Sequence, residues 1–376
     1  MEEFFSKTKI CFGREALQYL TLISSVRSFI VADPFLVESG MIKQITGYFK
    51  EDQYRIFSNV VPDPPLELVV EGIKAVEEYA PDHIIAVGGG SAIDEAKAIM
   101  HFSQKMGKGK RMTFVAIPTT SGTGSEVTSF AVITDKGKGI KYPLVDEGLR
   151  PDVAILDPAL VKSVPPSIVA DTGMDVLTHA LEAYVSTKAN AFTDALAEKS
   201  ALMVLKYLVR SYENKEDMEA KAMMHYASCL AGIAFDAASL GLNHAIAHNI
   251  GGKFHVPHGR TNAILLPYVL EFNAQLTDYQ QKEFSLAAEK YAALASMAGL
   301  GGMNIRTAVM NLIHQIKKMQ RQMKMPVTFR ECGISTTDYH KESESVIVGA
   351  MADSCIRTNP RDTSRQEIGA ILKRAM

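Results

Sequence analysis

The chain has 376 residues, more than one compact core accommodates, so two domains are expected. Forty basic side chains stand against 42 acidic ones, with the signs interspersed and a net charge of −2, which excludes nucleic acid or an anionic membrane as the main partner and leaves a small molecule. No apolar run is long enough to span a bilayer, MEEFFSKTKI lacks the order of a signal peptide, and Cys11, Cys229, Cys332 and Cys355 form no CxxC; a cytoplasmic protein with reduced thiols is expected.

Over residues 1–160 short β-rich runs alternate with helical ones. Strands are expected at 28–32, 54–57, 83–87, 113–117 and 153–156, with helical patterns between them, as in LELVVEGIKAVEEYA and AIDEAKAIMHFSQ. Such alternation builds a mainly parallel sheet with helices on both faces, the α/β architecture of a dinucleotide-binding domain. The first of these strands ends in Asp33, within FIVADP, where a carboxylate can bind a ribose 2′-hydroxyl and repel a 2′-phosphate, favouring NAD over NADP. HIIAVGGGSAIDEAKAIM then reads strand, glycine turn, helix. Glycines let backbone amides approach a ligand and the helix start adds partial positive charge, so the turn suits a pyrophosphate; a tight turn needing positive φ explains it equally well. A second polar turn, IPTTSGTGSEVTS, follows the next strand and can emerge at the same sheet edge, where ligands of open α/β sheets bind. The order is unusual: in the ordinary fingerprint the acid follows the glycines by about 20 residues, whereas Asp33 precedes them.

Pro158, Pro165 and Pro166 mark a boundary, and residues 161–376 read as a helical bundle, through stretches such as TDALAEKSALMVLKYLVRSY and EAKAMMHYASCLAGIAF. In SIVADTGMDVLTHALEAYVS, Asp175 and His179 lie one helical turn apart with Glu182 within about 60° of them, while Leu177, Leu181 and Tyr184 cover the opposite side. The remaining faces are apolar too, so the helix is expected to be buried, and a buried carboxylate beside an imidazole must be paired or bound to a metal. Further on, GLNHAIAHNIGGKFHVPHG sets His244 and His248 one turn apart, followed by Pro257-His258-Gly259 in a turn that can fold another imidazole back. Imidazole nitrogen and carboxylate oxygen without thiolate suit Fe(II) or Zn(II) equally. Spacing alone does not separate His248 from the ligands. His83, His101, His225, His314 and His340 read as ordinary core or surface histidines.

Taken together, VVPDPP, AVGGGSAIDEAKAI, AIPTTSGTGSEVT, PDVAILDP, DTGMDVLTHALEAYVS, GLNHAIAHNIGGKFHVPHG and TNPRDTSRQEI resemble the iron-dependent (group III) alcohol dehydrogenases from end to end. KGIKYPL and FTDALAEKSA look most like the propanol and ethanol dehydrogenases of bacterial microcompartments. The resemblance implies a dehydroquinate synthase-like fold and NAD(H)-linked hydride transfer between short-chain primary alcohols and aldehydes, with Fe(II), or alternatively Zn(II), as Lewis acid. It places the metal ligands on Asp175, His179, His244 and His258 and leaves His248 outside the set, as a candidate proton relay. It places cofactor contacts on Asp33, Gly89, Gly90, Ser91, Asp94, Thr119, Thr120, Thr123 and Lys141, and the substrate pocket on Ser129, Phe235 and Cys355. Asp63 departs from relatives with Asn there, and Arg357 replaces a small residue of some relatives at the pocket mouth. Plainer readings stand beside these: Thr119 and Thr120 as turn caps, Phe235 as core, Lys141 as a solvated charge and Cys355 as a small apolar filler. A homodimer is implied, in the cytoplasm or inside a microcompartment beside its other enzymes.

Two alternatives keep the architecture and change the chemistry, a zinc-dependent glycerol-type polyol dehydrogenase and an NAD-using lyase of the dehydroquinate synthase type. The Asp-x-x-x-His pair and the PHG turn argue for the alcohol dehydrogenase branch. A non-catalytic assembly subunit would not need an intact ligand set.

Overall fold

The structure is a computed structural model that describes residues 4–62, 64–106, 111–135, 137, 140–277 and 280–376. It divides into two compact units, Met1–Val164 and Pro165–Met376.

The first unit carries a six-stranded parallel sheet. Its strands are β1 (Lys9–Phe12), β2 (Ser28–Ala32), β3 (Tyr54–Phe57), β4 (His83–Gly88), β5 (Thr113–Pro118) and β8 (Val153–Leu156), in the spatial order β1-β8-β5-β4-β2-β3. A separate antiparallel pair is formed by β6 (Phe130–Asp135) and β7 (Ile140–Val145). The helices are α1 (Pro34–Glu38), α2 (Lys43–Thr46), α3 (Leu66–Tyr79) and α4 (Gly90–Lys105). After Ser28 and His83, β2 and β4 run apolar as FIVA and IIAV, as suits central strands with neighbours on both edges and cover on both faces. Alternate residues serve opposite layers: Phe29, Val31, Ile84, Ala86 and Phe114 pack with α3 and α4. Ile30, Ala32, Ile85, Val87 and Val115 pack with Leu17, Leu20, Leu36 and Ile45.

Three strands lie beyond those expected from the sequence. β1 is a four-residue edge strand of mixed exposure, too short to show a period, and it is specified by pairing with β8 from Lys9↔Val153 to Phe12↔Leu156. β6 and β7 pair from Phe130↔Val145 to Asp135↔Ile140, and β6 packs beside α4.

Among its described residues the second unit has nine α-helices: α5 (Pro166–Val185), α6 (Ala191–Glu213), α7 (Met218–Ala238), α8 (Leu242–Phe254), α9 (His258–Ala274), α10 (Leu286–Met297), α11 (Ile305–Gln322), α12 (Thr336–Ala352) and α13 (Arg365–Ala375). No single described helix is long and apolar enough to cross a membrane. α5 is the central element, buried without interruption from Gly173 to Val185 and packed on α6, α7 and α9. Gly173 permits that approach, since a Cβ there would lie 2.1 Å from Leu208 Cδ1. α8 ends with His255 in the left-handed conformation, φ 55°, and the chain turns through Val256 and Pro257 directly into α9. His258 is therefore the first residue of a new helix, where the sequence led us to expect a turn.

Candidate metal centre

Three helices converge to place four donors. Asp175 and His179 sit one turn apart on α5, His244 in the first turn of α8, and His258 at the start of α9, and one donor atom from each lies within 4.8 Å of the others. Asp175 Oδ1 is 3.8 Å from His244 Nε2 and 3.5 Å from His258 Nε2, and Asp175 Oδ2 is 4.0 Å from His179 Nε2. Tetrahedral coordination at about 2.1 Å per bond puts donors about 3.4 Å apart, so the spacing suits one divalent ion. Gly259 secures the approach of α9, because a Cβ on it would come 2.1 Å from the Asp171 carbonyl oxygen of α5.

Hydrogen bonding around the donors carries the same message. Asn262 Nδ2 lies 2.6 Å from Asp175 Oδ1, 3.0 Å from His244 Nε2 and 3.1 Å from His258 Nε2. Its Oδ1 accepts from Asn243 Nδ2 at 2.8 Å, which fixes the NH₂ toward the donors. An amide NH₂ has two hydrogens for these three acceptors. Lone pairs gathered in this way suit a divalent cation, and the residues present fit one. Burial, helped by the neighbouring imidazoles of His179, His258 and His248, holds the His244 pKa well below the usual histidine range, so its ring is neutral.

Glu182, one turn beyond His179, stands behind His244, with Oε2 2.5 Å from Nδ1. Burial pushes its carboxyl up, to about 8, against backbone hydrogen bonds from Asn243, His244 and Gly241.

His248 has a separate partner. Its Nδ1 lies 2.9 Å from Asp353 Oδ2, and its ring stacks on that of His258 with centroids 5.5 Å apart. Asp353 Oδ1 also accepts from the Cys355 N–H at 2.8 Å. Burial works to raise the Asp353 carboxyl, but the bonds from His248 and Cys355 outweigh it and hold it below the usual range. Burial, with the charges of Asp353 and Glu182, pushes the Cys355 thiol far up, so it stays protonated. Phe235 leans on His179, ring centroids 4.6 Å apart. Ser129 belongs to the other unit, buried just before β6.

In the N-terminal unit the cofactor candidates gather at the carboxyl ends of adjacent strands. β2 pairs with β4, Ala32↔Val87, so Asp33 lies beside Gly88 although it precedes it by many residues in sequence. Asp33 caps α1 through Phe35 N at 2.9 Å. Gly88 has φ 157°, and a Cβ there would fall 2.6 Å from Ala92 Cβ and 3.3 Å from Asp33 Cβ. Gly89 caps α4, and Gly90 and Ser91 open it. The Thr119 N–H donates to Gly88 O at 2.9 Å, Thr120 borders Gly89, and a Cβ on Gly90 would meet Thr123 Cγ2 at 2.8 Å, so the two turns form one surface.

Asp94 is engaged with the protein: Oδ1 accepts from Ser125 Oγ at 2.6 Å and Oδ2 from Val132 N at 3.0 Å. The fully buried Lys97 donates to Ser125 Oγ, Thr128 Oγ1 and Phe130 O at 2.7–2.9 Å. These two residues brace the second turn against α4. Lys97, Ser125, Asn262 and Asp353 carry no local signal in the sequence, since their partners lie far from them along the chain. The Lys141 side chain and Asp63 lie outside the described residues.

A parallel sheet with phosphate-type turns and a carboxylate–histidine centre in a second, helical unit define a metal- and nucleotide-dependent enzyme. Residues 7–158 match the model of iron-containing alcohol dehydrogenase, and 169–376 that of the C-terminal part of the Fe-containing alcohol dehydrogenase family. The chain belongs to the iron-containing alcohol dehydrogenase family, an oxidoreductase family that interconverts alcohols and aldehydes. It is 46% identical over 364 residues to the 1-propanol dehydrogenase PduQ of Citrobacter freundii, covering 96% of each chain. It is 38% identical to the NADPH-dependent butanol dehydrogenase of Clostridium saccharobutylicum, covering 99% of this chain and 97% of that one. Among solved structures, a 1,3-propanediol oxidoreductase superposes with TM-score 0.90 at 31% identity over the whole of both chains. The iron-containing alcohol dehydrogenase of Thermococcus thioreducens gives 0.89 at 32%, over 99% of each. These matches disfavour the polyol dehydrogenase and lyase alternatives.

Proposed function

We propose that this enzyme interconverts short-chain primary alcohols and aldehydes, 1-propanol and propanal foremost, with NAD(H) as hydride carrier and Fe(II) as its metal. The observation that carries the reading is the convergence of Asp175, His179, His244 and His258 in a chain similar over its full length to 1-propanol dehydrogenases. When bound, the ion supplies Lewis acidity at the substrate oxygen and the nicotinamide supplies or takes the hydride.

The chain's own residues do the rest. Phe235, against His179, and the neutral Cys355 thiol give the metal centre an apolar margin suited to a short alkyl chain and shield it from water. His248, its Nδ1 held by Asp353, has Nε2 left to pass a proton between substrate and solvent. Amides at the start of α4 suit the pyrophosphate. Asp33 keeps Oδ2 for a ribose, which supports NAD(H) even though one relative is NADPH-dependent.

The likeness of KGIKYPL and FTDALAEKSA to microcompartment dehydrogenases supports encapsulation, and the family resemblance supports a homodimer. Purified protein, mixed anaerobically with NADH and propanal, is expected to oxidise NADH only when ferrous ion is supplied. If iron-loaded protein reduces no short aldehyde with NADH or NADPH, the reading is wrong.

A further inference from the structure

The helix that carries His244 begins without a cap of its own. Gly241 holds the N-cap in extended conformation, φ −147° and ψ −153°, and offers no side chain to the first amides of α8. Glu182 reaches across from α5 to supply the acceptor. Its Oε1 lies 2.6 Å from Asn243 N and 3.3 Å from His244 N. A Cβ on Gly241 would come 3.0 Å from that same oxygen, so the missing side chain makes room for the carboxylate. The other oxygen, Oε2, takes His244 Nδ1.

The bonding fixes where the imidazole proton sits. Burial favours a proton on Glu182, but Oε1 accepts backbone N–H groups at a helix start, where negative charge is favoured, and a cation held by His244 would add to that; ionised in this way, the second oxygen is an acceptor as well. His244 then carries its hydrogen on Nδ1, and Nε2 presents a lone pair toward Asp175 Oδ1, 3.8 Å away, and the Asn262 amide. Asn243, whose N–H Glu182 accepts, also holds Asn262, which in turn holds Asp175. One buried chain of hydrogen bonds thus runs from the back of His244 to the Asp175 carboxylate.

We propose that Glu182 is a positioning residue for the metal centre, fixing His244 in the Nδ1–H tautomer and in the ring orientation that turns Nε2 toward the ion. Partners of this kind behind ligating histidines raise metal affinity about 10–100-fold. The proposal rests on His244 being a ligand. Glu182→Gln keeps one oxygen but turns an NH₂ toward either the helix amides or Nδ1, so one of the two bonds is lost.

The test uses metal-stripped full-length protein. Competition against a chelator of known zinc affinity is expected to show Glu182→Gln binding Zn²⁺ about 10–100-fold more weakly than the parent. In ¹⁵N-histidine-labelled parent, long-range ¹H–¹⁵N spectra, with His244 assigned by its loss in His244→Ala, are expected to show Nδ1 protonated. Parent-like zinc affinity in Glu182→Gln while His244→Ala binds weakly would overturn the role of Glu182 alone. Parent-like affinity in His244→Ala would overturn the metal assignment beneath it. Should Glu182→Gln not fold, the parent spectrum decides: a hydrogen on Nε2 overturns the proposal.

Discussion

Two histidines on neighbouring turns illustrate how little a residue type determines by itself. His244 and His258 aim Nε2 at Asp175, while His248 turns Nδ1 to Asp353. His258→Ala is expected to lose metal and activity together, because three donors hold a labile ion less tightly; full metal occupancy in an inactive variant would assign His258 some other task. His248→Ala is expected to keep its metal yet turn over on the order of 10²-fold more slowly. Elemental analysis and turnover measured on one preparation check this, and parallel loss of both would make His248 a ligand. In the N-terminal unit, Glu95 on α4 is buried with neither carboxylate oxygen hydrogen-bonded among the described residues. Burial, and then the charge of Glu71, push its pKa to about 8. Glu95 ionises first in the unfolded chain, so its contribution to stability is fully present below about pH 4.5 and is lost as pH rises toward 8. Glu95→Gln is therefore expected to be more stable than the parent at pH 8, by on the order of 3 kcal/mol, with the difference vanishing near pH 4. Equal denaturation midpoints at both pH values would reject this account.

At the level of elements, the legible parts of the fold were those with a period or a long apolar run. Strands β2, β3, β4, β5 and β8 and the helical second half follow from such patterns, whereas the short edge strand β1 is fixed by its partner β8. The Asp175–His179 half of the candidate centre was legible because one helical turn separates the two, whereas the same spacing also paired His244 with His248, which turns to Asp353 instead. The tautomer and outer partners of the ligands were not, since Asn262, Glu182 and Asp353 act through contacts distant in sequence. The inverted order of acid and glycine turn was a puzzle in one dimension only, and the adjacency of β2 and β4 resolves it. Asp33→Gly should relax the expected preference for NAD(H); equal kcat/KM for both cofactors in the parent would reject this reading of Asp33. Where α9 meets α5, Gly259→Ala forces a methyl onto the Asp171 carbonyl and moves His258 away from Asp175. A loss of about 1–3 kcal/mol in stability, with weakened zinc binding, is expected. A variant with parent-like stability and affinity would show that the helices yield without cost.

For the whole molecule, a donor set drawn from three helices would make a bound ion part of the folding equilibrium of the second unit. Saturation at about 100 times Kd stabilises a folded unit by about 2.7 kcal/mol, so calorimetry should show chelation lowering the unfolding midpoint of that unit. An unchanged midpoint after verified metal removal would argue that the centre is rigid without it. The exposure of the ligands is unequal: Asp175, His179 and His244 are buried, while the His258 side chain is 43% exposed. In kinetic language this is a socket with a single latch. With these four residues as ligands, the ion would enter and leave on the side of the imidazole that water reaches; the motion of His258, at the very start of its helix, would set its residence time, and the buried three would set how strongly it is held.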